Sequence, residues 1–185
     1  MPSALLIIDV QKAILRGKGT KARQPVIDAA LDLMVNRLAE LQRKARAHNV
    51  PVILVQHDGD TEHRLAKGTD GWQIRGELRP AAGDVLVHKT ASDAFFETDL
   101  KERLKERRIG HLIVGGCMTQ FCVDTTCRRA VSLGYDVTLL ADGHMTADMG
   151  DLTFDQIIAH HNALLDGFDA GAHAIHVAAT NEIRL

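Results

Sequence analysis

The chain lacks several features that would each point to a class of function. It has no disulfide framework: three cysteines in 185 residues is a small and odd number, and a reduced cytoplasmic setting is the simplest reading. No apolar run approaches the length of a membrane span. The N-terminus, MPSALLIIDV, has no basic leader, and its apolar run stops at Asp9, so it does not read as a signal peptide. The formal net charge is only -2, so no global field draws the chain to nucleic acid or to anionic lipid. The basic string from Lys101 to Arg108 is interleaved with glutamates and reads as a solvated helix face. No internal repeat or low-complexity segment is present.

What remains is an ordinary globular balance, 45% hydrophobic and 25% charged, at a length that suits one domain. Short apolar runs alternate with helical patterns. Strands are expected at Ala4–Val10, Val52–Gln56, Asp84–His88, His111–Val114, Tyr135–Ala141 and Ala174–Ala178. Helices are expected from Pro25 to near Asn49, at Glu97–Arg108, at Phe121–Leu133 and at Phe154–Leu165. Ile27, Ala30, Leu31, Met34, Leu38, Leu41 and Ala45 mark the inner face of the first helix. Ile157, Ile158, Leu164 and Leu165 are the candidate core of the last. The expected fold is a doubly wound α/β domain over residues 1–185, a six-stranded parallel sheet with helices on both faces. Two polar loops, Gln11–Gln24 and His57–Pro80, interrupt the pattern. The second holds the only tryptophan, Trp72, and reads as a loop over a site.

Sites in such folds lie at the carboxyl ends of the strands. Asp9, Lys89 and Cys122 each fall at or just past the end of an expected strand, so the architecture alone gathers them at one edge. Cys122 follows Gly115-Gly116 into a helix. A thiol in the first turn of a helix should have a lowered pKa and be partly thiolate, with Thr119 a natural cap. Such a thiolate attacks an electrophilic carbon, and Asp9 is the candidate group to move the proton. Cys117 and Cys127 read as inert core thiols. Their five-residue offsets from Cys122 do not place all three on one helix face, which argues against zinc. His57 is a candidate pocket residue. His160, His161 and Asn162 carry no assignable role.

The segment Gly116–Arg128, GCMTQFCVDTTCR, resembles the nucleophile motif of the isochorismatase-like cysteine hydrolases. Ile7–Gln11 resembles the strand that carries the family's catalytic aspartate, and His88–Phe95 the segment that carries its lysine. The three occur in the family's order. The resemblance implies a Cys122–Asp9–Lys89 triad, with the N–H groups of Met118 and Cys122 as the oxyanion hole and a cis bond between Cys117 and Met118. It implies hydrolysis of a non-peptide C–N bond (amide, lactam or ureido) in a small molecule through a thioester, and a dimer or tetramer. Gln11, His57 and Trp72 are the candidate substrate-binding residues. The alternatives are vinyl-ether hydrolysis of the isochorismate type, whose enzymes can lack the cysteine, and a thiol redox or interaction protein.

Nicotinamidases in this family bind a metal through an Asp-x-His pair after the second strand. Here the matching run is Gln56-His57-Asp58-Gly59-Asp60, with glycine where the histidine should stand. No cofactor and no metal are therefore expected. Activity should survive exhaustive chelation; loss on chelation with recovery on adding back one metal would overturn this.

Overall fold

A computed structural model describes residues 1–185. Its centre is a seven-stranded sheet in the order β3-β2-β1-β4-β5-β7-β6. The strands are β1 (Ser3–Ile8), β2 (Val52–His57), β3 (Val85–Lys89), β4 (His111–Cys117), β5 (Asp136–Met145), β6 (Asp169–Ala170) and β7 (His173–Ala178). All neighbouring pairs are parallel except β6 with β7. The expected count of six thus becomes seven. The added strand, β6, is a two-residue antiparallel edge, too short to leave an apolar signal.

The helices are α1 (Gln24–Ala47), α2 (Leu100–Glu106), α3 (Asp124–Ser132) and α4 (Phe154–Leu165). Two cores show how the sheet is wrapped. Along β1, Leu5 and Ile7 join the core under α1, with Ile27, Leu31, Met34 and Leu38. Ala4, Leu6 and Ile8 face the opposite core, built with Leu100 and Leu104 of α2 and Ala130 and Val131 of α3. A strand buried on both faces must be apolar throughout, which is why β1 reads as a continuous run. In α4, Ile157 and Leu165 are buried but Leu164 is exposed, against expectation, because the helix packs a narrower face than four apolar residues imply. The helix expected from Glu97 begins only at Leu100, because Glu97 takes a left-handed φ of +52°. No helix is long and apolar enough to cross a membrane.

The chain winds outward from β1 to β3 and then restarts on the other side at β4, so strand order reverses between β1 and β4. That reversal leaves a crevice at the carboxyl ends of these two strands. Their close approach requires glycine. Gly116 pairs with Ile8 and has φ +125°. A Cβ there would overlap the Ile8 carbonyl, and one at Gly115 would lie 2.6 Å from the carbonyl oxygen of Gly143. Gly116→Ala should therefore lower stability by at least about 2 kcal/mol or prevent folding, because the clash is with backbone. A melting temperature equal to wild type would contradict this account of the crevice.

Candidate active site

Three strand ends build the site. Asp9 follows β1 in a left-handed conformation, φ +53°, and its N–H donates to the Val55 carbonyl at 2.9 Å. Asp is among the few residues that tolerate this region, and such outliers cluster at functional sites. Lys89 closes β3. Cys122 sits in a single π-helical turn, Thr119–Val123, between β4 and α3. The Cys117–Met118 peptide bond just before it is cis.

These side chains converge. Lys89 Nζ lies 2.6 Å from Asp9 Oδ2, in a pair whose side chains are only 0% and 1% exposed. The same ammonium donates to Cys122 Sγ at 3.3 Å and to the Ala91 carbonyl at 2.8 Å. Its three hydrogens are then all used, which fixes its direction. The second carboxylate oxygen, Asp9 Oδ1, is buried and has no partner. A buried acceptor without a partner is rare and calls for an explanation.

Burial holds the Asp9 carboxyl above the usual carboxylate range, against the pull of Lys89 by charge and hydrogen bond. Burial works to lower Lys89, but Asp9 and Cys122 outweigh it and hold the ammonium raised. The thiol departs from expectation. Burial, and then the Asp9 charge, push Cys122 up to about 11 against the pull of Lys89. The expected depression assumed a helix start, but α3 begins at Asp124 and the thiol stands beside a carboxylate. At neutral pH it keeps its proton. Cys117 and Cys127 are fully buried and pushed higher still by the same desolvation.

A cavity of about 240 Å³ opens onto Asp9 and Cys122, walled by Ile14, Leu65, Met118 and Phe121 among the apolar groups and by His57 and Arg64 among the polar ones. Of the three candidate substrate-binding residues, only His57 lines it. Burial, then Lys89, lower His57 to about 4, so its ring is neutral at pH 7. Gln11 and Trp72 stand elsewhere. Gln11 is fully buried and its amide donates to the carbonyls of His57 and Trp72 at 2.9 and 2.8 Å, while its oxygen accepts from His57 N–H at 3.0 Å. Trp72 donates from its indole to Asp58 Oδ1 at 2.8 Å and stacks on His88. Both hold the His57–Pro80 loop instead of facing the cavity.

Thr119 does not cap a helix through its side chain; its hydroxyl lies 2.8 Å from His144 Nδ1. His144 Nε2 lies 2.9 Å from Asn162 Oδ1, and the Asn162 amide donates to the Ala141 carbonyl at 2.9 Å. Because the Asn162 oxygen must accept, His144 Nε2 donates, and Nδ1 accepts from Thr119. Burial lowers His144 to about 4, which keeps this neutral chain intact at pH 7. Asn162 thus anchors the turn that carries Cys122, while His161 bonds its own helix at Ile157 and His160 is exposed. Sequence reasoning missed His144 and Arg64. His144 sits in an extension of β5 beyond its apolar run, and Arg64 in a loop without periodicity; neither carries a local signal. No three His, Cys, Asp or Glu side chains are grouped so as to hold a metal ion.

The model of the isochorismatase domain matches residues 3–181. The chain belongs to this family. A streptothricin hydrolase of Streptomyces noursei is 33% identical over 146 residues, which cover 79% of this chain but 55% of that protein. The chain thus spans about half the length of the curated streptothricin hydrolases it matches. A ureidoacrylate amidohydrolase, RutB, of Agrobacterium fabrum (strain C58) is 41% identical over 78 residues, 42% of this chain and 34% of that one. A solved structure described as an isochorismatase from Pseudomonas putida KT2440 superposes with a TM-score of 0.85 at 30% identity, covering 98% of this chain and 90% of the other.

Brief alkylation with iodoacetamide should label Cys122 ahead of Cys117 and Cys127, since only Cys122 opens onto a cavity. With its pKa at about 11, its labelling should climb with pH through the alkaline range, without levelling near neutrality. Peptide mapping reads both; equal labelling of all three, or a plateau near neutral pH, would contradict the geometry.

Proposed function

We propose that this protein is a cysteine-dependent amidohydrolase that cleaves a non-peptide C–N bond of a small molecule. One observation carries the reading. The unpartnered Asp9 Oδ1 is a proton acceptor at the floor of the cavity, where Lys89 already touches both Asp9 and the Cys122 sulfur. A merely structural cysteine needs neither neighbour.

Cys122 Sγ attacks the carbonyl carbon as Asp9 takes the thiol proton. The carbonyl π pair moves to oxygen, and the C–N bond then breaks as the pair returns. Asp9 hands its proton to the departing nitrogen, which leaves as an amine or ammonia and leaves a thioester on Cys122. Water attacks that thioester with Asp9 as base, the C–S bond breaks, and the thiol is re-formed with a carboxylic acid product. Lys89 holds Asp9 in place while the carboxylate gains and gives up the proton. The Met118 N–H finds no acceptor in the chain, although Met118 is only 7% exposed. It and the Cys122 N–H are the proposed oxyanion donors, each worth about 10²–10³ in rate. A relative named as a ureidoacrylate amidohydrolase supports C–N bond hydrolysis over vinyl-ether cleavage, and one named as a streptothricin hydrolase supports hydrolysis over redox sensing.

The test is intact mass after exposure to a panel of amides, ureas and lactams. An acyl adduct on Cys122 is expected, with turnover lowered by about 10²-fold or more in Asp9→Asn. Only oxidised forms of Cys122, or turnover within a few-fold of wild type in Asp9→Asn, would sink the mechanism.

A further inference from the structure

The turn that carries Cys122 needs an anchor, and its backbone supplies only part of one. The Phe121 and Val123 N–H groups both donate to the Met118 carbonyl, at 3.0 and 3.3 Å, so the turn closes on itself. Val123 packs into the core built with α2 and α3, while Phe121 is exposed. Gln120 holds nothing firmly: its Oε1 is buried without a partner, and its amide meets only the Met149 sulfur at 4.0 Å. Two side-chain bonds remain. One is the Lys89–Cys122 contact at 3.3 Å, which belongs to the reacting groups themselves. The other is the 2.8 Å bond between the Thr119 hydroxyl and His144 Nδ1, at residues only 1% and 2% exposed.

His144 reaches that hydroxyl because β5 breaks register with β4. The pairing shifts between Val114 and Gly116, and beyond the shift His144 lies beside Gly116, which has no side chain to crowd the imidazole. From the other side, Asn162 of α4 holds the ring at Nε2 and is itself tied to the Ala141 carbonyl of β5. Each atom in this chain has one possible role, so the imidazole cannot turn over without leaving a buried polar group unpaired. Such a chain adds little stability over apolar packing of the same shape; what it adds is a fixed direction.

We propose that His144 is a positioning residue of this site: acting through Thr119, it fixes the turn so that Cys122 Sγ stays against Lys89 and the Met118 N–H stays free for the developing oxyanion. His144 does not line the cavity, so it acts only through the turn. An approach error of an ångström at the sulfur costs about 10²-fold in rate. This inference deepens the amidohydrolase reading and rests on it for the oxyanion, but the placement of the sulfur can be measured without turnover.

The probe is the Cys122 thiol itself. Held in place, it is pushed up to about 11 by burial and by Asp9, against the pull of Lys89, and Arg64 also acts on it by charge. A turn cut loose lets the sulfur hydrate and move away from Asp9, so its midpoint falls toward the ordinary thiol value of about 8.5. The rate of labelling by iodoacetamide is followed against pH by peptide mapping of the intact chain. In His144→Leu the midpoint should fall by about one unit or more, which gives about tenfold more thiolate at pH 8. Thr119→Val cuts the same bond with little change of shape and should move the midpoint in the same direction; it decides the matter should His144→Leu fail to fold. His144→Asn, which can still accept from Thr119, should fall between. Ile109→Ala removes buried packing at the opposite end of β4 from the turn, and should lower the melting temperature without moving the midpoint. With any substrate found among amides, ureas and lactams, His144→Leu should lower kcat by about 10²-fold and leave KM within a few-fold. A wild-type midpoint in both His144→Leu and Thr119→Val, an equal fall in Ile109→Ala, or a raised KM with kcat intact would overturn the assignment. Failure of the hydrolase reading looks different: the midpoint would still fall in these variants, while no amide ever acylated Cys122.

Discussion

A carboxylate and an ammonium 2.6 Å apart, both closed off from water, set the terms for everything around them. Removing two charges from solvent costs several kcal/mol per ion, and the pair survives only where further hydrogen bonds complete it. Lys89 meets that condition, with the Ala91 carbonyl and the Cys122 sulfur taking its other hydrogens. Asp9 does not, since Oδ1 is left bare. The imbalance is local and directional. It leaves one strong acceptor in the site, in the cavity that the thiol also faces.

One wall of that cavity is the His57–Pro80 segment, which is long and has little regular structure beyond a 3₁₀ turn at Gly76–Leu78, yet is firmly tied. Gln11 clamps both its start at His57 and its middle at Trp72. Gln56 donates to the same Trp72 carbonyl at 2.8 Å, and the Lys12, Ala13 and Arg75 amides bond across to Gln73, Gly71 and Val10. Asp58 gathers Lys67, Trp72 and His88 on its two oxygens. With its backbone groups satisfied in this way, the segment acts as a wall of the cavity. Rigid placement is what a nucleophile and a proton acceptor need if an approach error of an ångström is not to cost orders of magnitude in rate.

The layered fold and the convergence of Asp9, Lys89 and Cys122 were legible because they follow from periodicity and strand ends, quantities local to a few residues. The glycines at 115 and 116 were legible for the same reason. What stayed hidden depends on distance in sequence. Gln11 looks like a pocket residue until its partners, 46 and 61 positions away, are known. His144 becomes meaningful only between Thr119 and Asn162. The thiol pKa was misjudged by reading a local rule, the helix start, where a long-range neighbour, Asp9, and burial outweigh it.

That last reversal bears on how the chemistry must proceed. A thiol near 11 gives almost no standing thiolate at neutral pH. Arg64 and Cys122 also feel each other's charge. A mechanism that waits for a free thiolate is poorly served by this site. One in which the proton passes to Asp9 as sulfur reaches carbon is well served, because Lys89 touches both partners and holds its position while the negative charge shifts between them. In the proposed mechanism the raised pKa is then no obstacle: it keeps the resting thiol protonated until an acceptor carbon is in place.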